Sequence, residues 1–348
     1  MSALAPVAGS SNARARAERL LARACGARRV AITHWERMPG GAIQENVALD
    51  VAVEGGPCSG AQHWVLRTDA PSAVAASHSR AHEFAILRAA WQAGVRVPEP
   101  LFLCQDGEAA DFFVMPRIVG VAAGHRLARE DALVPDRRAL ARELGGNLAR
   151  LHAVRPPVAD LAFLGEPPRD HARATVAAYR RGLDELAAIR GEAWPALEWG
   201  LAWCARHAPE PLPACLLHRD WRTGNYLVHE GRLAAVLDWE FAGWGDARED
   251  LGWMLARCWR FGRPEREAGG IGSAADFLAG YREGGAAAIA FEQTRYWQVL
   301  AHLRWALIAL QQAERHRCGA QRSLELALTA HIVPELEDEI LTLTESAP

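Results

Sequence analysis

The residues best suited to chemistry lie in one short segment and in one acid that follows it. Residues 216–225 read LLHRDWRTGN, which places Asp220 five positions before Asn225, and Asp238 ends an apolar run thirteen positions further on. Transfer of a phosphoryl group needs a positioned hydroxyl and neutralised phosphate charge more than it needs covalent help from the protein. The carboxylate of Asp220 is suited to accept the proton of that hydroxyl or to orient it. The oxygens of Asn225 and Asp238 suit Mg²⁺, a hard cation that prefers oxygen ligands. The spacing therefore predicts a phosphoryl-transfer site.

The composition is that of an ordinary globular protein and excludes several classes. Half of the 348 residues are hydrophobic and 23% are charged, which excludes a disordered chain, a collagen-like fibre and a disulfide-stapled miniprotein. All 39 basic residues are arginine, because the sequence contains no lysine, and the net charge is −3. Nucleic acid is therefore not expected as a partner.

The cysteines and the hydropathy pattern indicate the compartment. Seven cysteines are scattered without a C-x-x-C pair, which favours a reducing environment over a disulfide framework or a zinc site. No apolar run approaches the ~18 residues that a membrane span requires. The Ala/Arg/Ser-rich start could imitate a mitochondrial transit peptide, but a frayed tail followed by a helix near 13–25 is the favoured interpretation. We expect a cytoplasmic protein with no membrane partner.

Periodicity predicts a β-rich first part and a helical second part. The first part has one helix, at 77–93, and its predicted strands are 31–38, 45–53, 63–67, 101–104 and 111–115. The predicted helices of the second part are 136–154, 171–190, 194–207, 248–260, 274–284, 292–316 and 320–345. A β-rich island with an embedded hairpin interrupts them at 213–239. The expected fold class is α+β, with a tail and helix at 1–29, a small lobe at 30–116 and a helical lobe at 117–348.

Several segments together resemble one family. H-R-D-x-x-x-x-N is the catalytic-loop signature of protein-kinase-like phosphotransferases. Residues 245–253, GDAREDLGW, are similar to the G-D-P-x-x-D-L segment of the aminoglycoside phosphotransferase/choline kinase superfamily. Residues 80–87 resemble the first helix of the small lobe in that superfamily, and residues 112–120 resemble its hinge. The resemblance covers roughly 30–345 and implies a two-lobed, protein-kinase-like fold. Within the superfamily, the sequence looks most similar to the branch called phosphotransferase family protein, which is frequently associated with acyl-CoA dehydrogenase-like proteins.

The resemblance also assigns residues to the phosphates of a nucleotide. Arg67 stands where kinases place a phosphate-binding lysine; it departs from that pattern but keeps the charge and binds phosphate bidentately. Glu83 would pair with Arg67 and hold it. Gly40 and Gly41 would form the loop over the phosphates, although as an isolated pair they equally suit a hairpin turn.

The hinge implied by the resemblance would bind the nucleotide base. It runs from Met115 through Pro116 to Ile118. Pro116 has no N–H, so it can offer only its carbonyl to the adenine amino group. The N–H of Ile118 would be the donor to the ring.

The combined prediction is a Mg²⁺-dependent enzyme that moves the γ-phosphate of ATP or GTP to a hydroxyl of a small molecule. The acceptor, the preferred nucleotide and the oligomeric state stay open. A non-catalytic nucleotide-binding protein of the same fold is the alternative. A protein kinase is disfavoured because only six residues separate Asp238 from Gly245 and no A-P-E segment follows. The absence of G-x-S-x-G disfavours an α/β-hydrolase.

Overall fold

The computed structural model describes residues 11–38, 44–69, 78–107 and 109–345, which form two compact units. The sheet unit contains the described residues up to Val119 together with Ala159–Phe163 and Ala234–Phe241. The helical unit contains Gly120–Val158, Leu164–Leu233 and the chain from Ala242 onward. A five-stranded antiparallel sheet in one unit and helical bulk in the other confirm the predicted α+β fold class.

The sheet unit is built on strands in the order β1-β2-β3-β5-β4, and all neighbouring strands are antiparallel. The elements are α1 (Ser11–Ala24), β1 (Arg29–Arg37), β2 (Gln44–Glu54), β3 (Gly60–Asp69), α2 (Arg80–Gln92), β4 (Phe102–Cys104) and β5 (Phe112–Pro116). Val47, Leu49 and Val51 are buried on one face of β2, as strand alternation predicts. They share a core with Leu20 and Leu21 of α1.

Helix α2 has a buried face that carries charge as well as apolar side chains. Ser79 caps its N-terminus by accepting a hydrogen bond from the N–H of His82. Arg80, Glu83 and Ile86 are buried at intervals of three, so they lie on one side of the helix. The helical period that buries Ile86 therefore also turns Glu83 toward the interior of the sheet unit.

The helical unit takes up most of the second part of the chain. Its helices are α3 (Gly124–Arg129), α4 (Arg137–His152), α5 (His171–Arg190), α6 (Pro195–Arg206), α7 (Arg248–Leu255), α8 (Ala274–Glu283), α9 (Arg295–Arg317), α10 (Leu324–Thr329) and α11 (Val333–Glu345). In the same second part of the chain, which also holds the two short segments of the sheet unit, 3₁₀ turns occupy Ala159–Leu164, Arg257–Trp259, Phe291–Thr294 and Ala330–Ile332. The strands of this second part are β6 (Cys215–Leu217), β7 (Tyr226–His229), β8 (Arg232–Val236) and β9 (Gly243–Gly245).

Two predicted helices are wrong in extent. The helix predicted at 248–260 ends at Leu255, because Ala256 has an extended backbone before the 3₁₀ turn begins. The helix predicted at 320–345 begins only at Leu324, after the Ser323 cap, and divides into α10 and α11. Pro334 stands at the second position of α11, where the missing backbone N–H would have no partner within the helix in any case. Proline cannot, however, continue a helix that began earlier in the chain, so α10 ends before it.

The loop that carries Asp220 leaves a strand whose partner the sequence did not reveal. β6 pairs antiparallel with β9, with Leu216 opposite Trp244, whereas β7 and β8 form the predicted hairpin. β9 is only three residues long and contains two glycines, which weakens any pattern signal.

Two further findings concern thiols and membrane spans. All seven cysteines carry free thiols. Within the described ranges, none of the helices combines the length and apolar character that crossing a bilayer requires.

Candidate active site

In the sheet unit, Arg67 on β3 is the centre of an ion-pair cluster. Its Nε donates to Glu83 Oε2 at 3.0 Å and its Nη2 lies 2.8 Å from Glu83 Oε1. The same Nη2 donates to Asp238 Oδ1 at 3.0 Å. Arg80 also donates to Glu83 through Nη1, and its Nε donates to Asp69 Oδ1 at 2.9 Å. The structure thus brings Arg67, Glu83 and Asp238 together.

The environment keeps Arg67 charged and oriented. Burial opposes the charged guanidinium, but the carboxylates of Glu83 and Asp238 outweigh it and raise the pKa of Arg67 above its ordinary value. Asp238 follows β8 with a left-handed backbone, φ +68°, a conformation that aspartate tolerates better than most residues. Its side chain is 36% exposed, and Oδ1 is the oxygen that bonds Arg67. The cluster therefore holds the Arg67 cation in a fixed orientation beside the partly exposed carboxylate of Asp238.

The predicted base-binding residues lie at the end of β5. Met115 pairs with Val65 and Pro116 with Trp64 in the β3–β5 ladder, and all three predicted hinge residues are partly exposed. The N–H of Ile118, just past the strand, has no hydrogen-bond partner in the described part of the chain. Gly40 and Gly41 lie outside the described residues.

In the helical unit, Asp220 and Asn225 meet through a side-chain hydrogen bond. Asn225 Nδ2 donates to Asp220 Oδ2 and, at 3.0 Å, to the Asp220 carbonyl. Both residues are buried, with Asp220 8% and Asn225 6% exposed. Because the Asn225 nitrogen is engaged by Asp220, its carbonyl Oδ1 is the atom that remains for a cation.

Asp250 on α7 ties down the backbone just before Asp220. Its Oδ2 accepts from the N–H of His218 and its Oδ1 from the N–H of Arg219, both at 2.7 Å. His152 lies 3.2 Å from Oδ2, and Asp250 is fully buried. Buried carboxylates are stable only when such donors replace water. His218 accepts from the N–H of Asp220 through Nδ1, so its ring also supports the backbone of this loop.

Asp250→Asn is expected to lower the free energy of unfolding by about 1–3 kcal/mol, because the new amide nitrogen would face a buried backbone N–H that then loses its acceptor. Denaturant titration followed by tryptophan fluorescence measures the change. Asp184→Asn, at an exposed position of α5, serves as control and should stay within about 0.5 kcal/mol. Equal stability of the two variants would show that Asp250 does not hold the loop.

A strained residue lies inside this loop. Arg219 has φ +62°, a left-handed conformation that costs about 1–3 kcal/mol and persists only where surroundings impose it. The Arg219 guanidinium donates to the Trp244 carbonyl at 2.8 Å, and the Arg219 carbonyl accepts from Arg304. Nearby, burial would raise the pKa of Glu249, but His171 and the two arginines outweigh burial and lower it to about 2.

Sequence reasoning missed two residues that contact Asp220. Trp253 Nε1 donates to Asp220 Oδ1 at 2.8 Å, and Arg222 Nε donates to the same oxygen at 3.0 Å. The Arg222 guanidinium lies 4.6 Å from the Trp259 ring centroid. Arg222 lies inside the motif, two positions from Asp220, so its closeness in sequence could have indicated the contact. Trp253 ends the GDAREDLGW segment, far from Asp220 in sequence, and offered no such signal.

The chain is similar in sequence to curated proteins of the acyl-CoA dehydrogenase family. Acyl-CoA dehydrogenase family member 11 of Rattus norvegicus is 30% identical over 207 residues, which are 55% of this chain and 25% of that protein. This chain therefore spans about a quarter of the length of that curated relative.

Two solved structures are similar across nearly the whole chain. A protein of Ralstonia eutropha JMP134 proposed to be an aminoglycoside phosphotransferase is 19% identical, with a TM-score of 0.69 and coverage of 91% of this chain and 94% of that one. A thermostable mutant of aminoglycoside phosphotransferase APH(4)-Ia, in ternary complex with AMP-PNP and hygromycin B, is 16% identical, with a TM-score of 0.56 and coverage of 95% and 99%. At such identities the likeness shows the fold alone.

The assignment of the chain to a family rests on a different finding. Residues 34–287 match the model of the phosphotransferase enzyme family. That range includes both the Arg67 cluster and the Asp220 loop, and the match confirms the resemblance drawn from the motifs. The chain belongs to the phosphotransferase enzyme family.

Proposed function

We propose that this protein is a Mg²⁺-dependent kinase that moves the γ-phosphate of ATP or GTP to a hydroxyl group of a small molecule. The observation that carries the proposal is the Asp220–Asn225 hydrogen bond, in a chain of this family. It joins a buried carboxylate to an amide whose oxygen is left for a cation. A carboxylate beside a cation ligand suits transfer to a hydroxyl.

The predicted small lobe at 30–116, which belongs to the sheet unit, would bind the nucleotide. Arg67, held by both oxygens of Glu83, offers a fixed positive charge for phosphate oxygens. Gly40 and Gly41 would cover the phosphates. The carbonyl of Pro116 and the N–H of Ile118 would bind the base, with Met115 beside it. The AMP-PNP in the APH(4)-Ia complex supports a nucleotide donor.

The residues present suit Mg²⁺. Asn225 Oδ1 and the Asp238 carboxylate are hard oxygen donors of the kind that holds Mg²⁺ together with phosphate oxygens and water. Asp238 would give up part of its contact with Arg67, which keeps its two contacts to Glu83. Bound Mg²⁺ would supply positive charge to the phosphates.

Asp220 would act on the acceptor in the predicted helical lobe at 117–348. Its carboxylate orients the acceptor hydroxyl and takes up its proton. The acceptor oxygen forms a bond to the γ-phosphorus, the bond from that phosphorus to the bridging oxygen breaks, and the nucleoside diphosphate leaves. Arg222, bonded to the same carboxylate, places a second fixed cation near the site.

The acceptor class is suggested only broadly. The APH(4)-Ia complex holds hygromycin B, whereas the curated relative is an acyl-CoA dehydrogenase family member. Amino sugars and alcohols related to acyl-CoA are therefore both candidates. A cytoplasmic location is part of the proposal and rests on the scattered cysteines, all with free thiols.

A transfer screen tests the proposal. The protein, Mg²⁺ and γ-labelled ATP or GTP are incubated with hydroxyl metabolites, amino sugars and acyl-CoA-related alcohols, and labelled products are separated from nucleotide. We expect transfer to at least one acceptor and none after Mg²⁺ is chelated. Nucleotide binding without transfer or phosphate release across the whole panel would instead support a non-catalytic nucleotide-binding protein.

A further inference from the structure

We propose that Trp253 is a positioning residue for Asp220, and this inference rests on the proposed function. Its indole N–H donates to Asp220 Oδ1 at 2.8 Å. Trp253 is 3% exposed and Asp220 8% exposed, so water competes little for this bond. An N–H donor to an ionised carboxylate in a dry site is among the stronger hydrogen bonds in proteins.

The hydrogen-bond donors are distributed unequally between the two carboxylate oxygens of Asp220. Among the described residues, Oδ1 accepts from Trp253 and Arg222, whereas Oδ2 accepts from Asn225 alone. The less occupied oxygen, Oδ2, is therefore the one with capacity for the acceptor proton. The indole is a donor only, so it stabilises the ionised carboxylate without adding a competing base.

Trp253 is placed by the helix that also holds the rest of the loop. Asp250 and Trp253 are three residues apart on α7 and therefore lie on one face. Asp250 bonds the backbone at His218 and Arg219, and Trp253 bonds the side chain of Asp220. One face of α7 thus fixes both the backbone and the carboxylate of the loop.

The indole ring of Trp253 is itself packed against two neighbouring side chains. The Arg304 guanidinium lies 4.5 Å from the Trp253 ring centroid, and the Trp259 ring centroid lies 5.1 Å away. Rings packed in this way keep one orientation, and the N–H of Trp253 therefore points at a fixed place.

The same cluster supplies a matched control. Trp259 is also buried, at 7% exposed, but its Nε1 has no hydrogen-bond partner in the described part of the chain. Phenylalanine at either position keeps an aromatic ring and removes the indole N–H. Only Trp253→Phe removes a bond to Asp220.

The first experiment measures phosphate release from Mg·ATP, with water as acceptor, at a fixed neutral pH. In Trp253→Phe we expect kcat to fall about 10- to 100-fold, the value of one hydrogen bond to a charged group, with the KM for ATP unchanged. In Trp259→Phe, which removes no bond to Asp220, kcat should fall less than in Trp253→Phe. An unchanged kcat in Trp253→Phe, a rise in the KM for ATP in place of the fall in kcat, or an equal fall in kcat in both variants would overturn the proposal.

A second measurement needs neither turnover nor a folded Trp253→Phe. The indole ¹⁵N–¹H signals of the otherwise unchanged chain are compared with those of Asp220→Ala. We expect one far-downfield signal to move upfield in Asp220→Ala, and the Trp259 signal, identified with Trp259→Phe, to stay in place. If no indole signal responds to Asp220, Trp253 does not hold it. If the signal responds but wild-type protein neither transfers nor releases phosphate, the positioning contact stands and the kinase function fails.

Discussion

Asp220→Asn is expected to lower phosphate transfer by about 10²- to 10⁴-fold, the usual contribution of a positioned general base, while nucleotide binding is retained. The amide keeps the size of the side chain and can still accept the Trp253 and Arg222 hydrogen bonds through its oxygen. It cannot take up the proton of the acceptor hydroxyl. Transfer is measured with the acceptor found in the screen, and nucleotide affinity by calorimetry.

Asp184→Asn is the control for this substitution, since it neutralises an exposed carboxylate on α5 and should leave transfer unchanged. Full turnover by Asp220→Asn would refute the assignment of the base. Loss of nucleotide binding together with transfer would mean that Asp220 serves the nucleotide rather than the acceptor.

Asp238→Ala is expected to weaken Mg·ATP binding about 10- to 100-fold, the value of one charge-assisted contact. The variant should bind ATP without Mg²⁺ nearly as the wild-type protein does, because Glu83 still holds Arg67 through both oxygens. Calorimetric titrations with ATP, in the presence and absence of Mg²⁺, separate the two effects.

The sheet unit offers a matched control for the loss of an ion pair. Asp69 contacts Arg80 at 2.9 Å, much as Asp238 contacts Arg67 at 3.0 Å, but no role in metal binding is proposed for it. Asp69→Ala should keep the full gain in affinity that Mg²⁺ gives. If both variants lose that gain equally, or if Asp238→Ala keeps it, Asp238 is not a metal ligand.

Elements with strong periodicity could be read from the sequence. Val47, Leu49 and Val51 alternate along β2, and the helix predicted at 171–190 is α5 with the same bounds. Prediction failed where local preference and tertiary context disagree. β9 spans only Gly243–Gly245 and exists because β6 pairs with it, and a long apolar pattern hid the break between α10 and α11.

The sequence alone identified the phosphotransferase family and the loop from His218 to Asn225, because that chemistry demands fixed residue types at short, fixed spacing. It also indicated Arg67 and Glu83, through their places in the resemblance.

Only the tertiary structure decided which side chains surround Asp220. Trp253 is 33 positions away along the chain, and its contact depends on how α7 packs against the loop. Long-range packing of this kind leaves no periodic signal. A buried tryptophan that donates to a carboxylate looks the same in a sequence as Trp259, whose indole N–H has no acceptor among the residues that the structure describes.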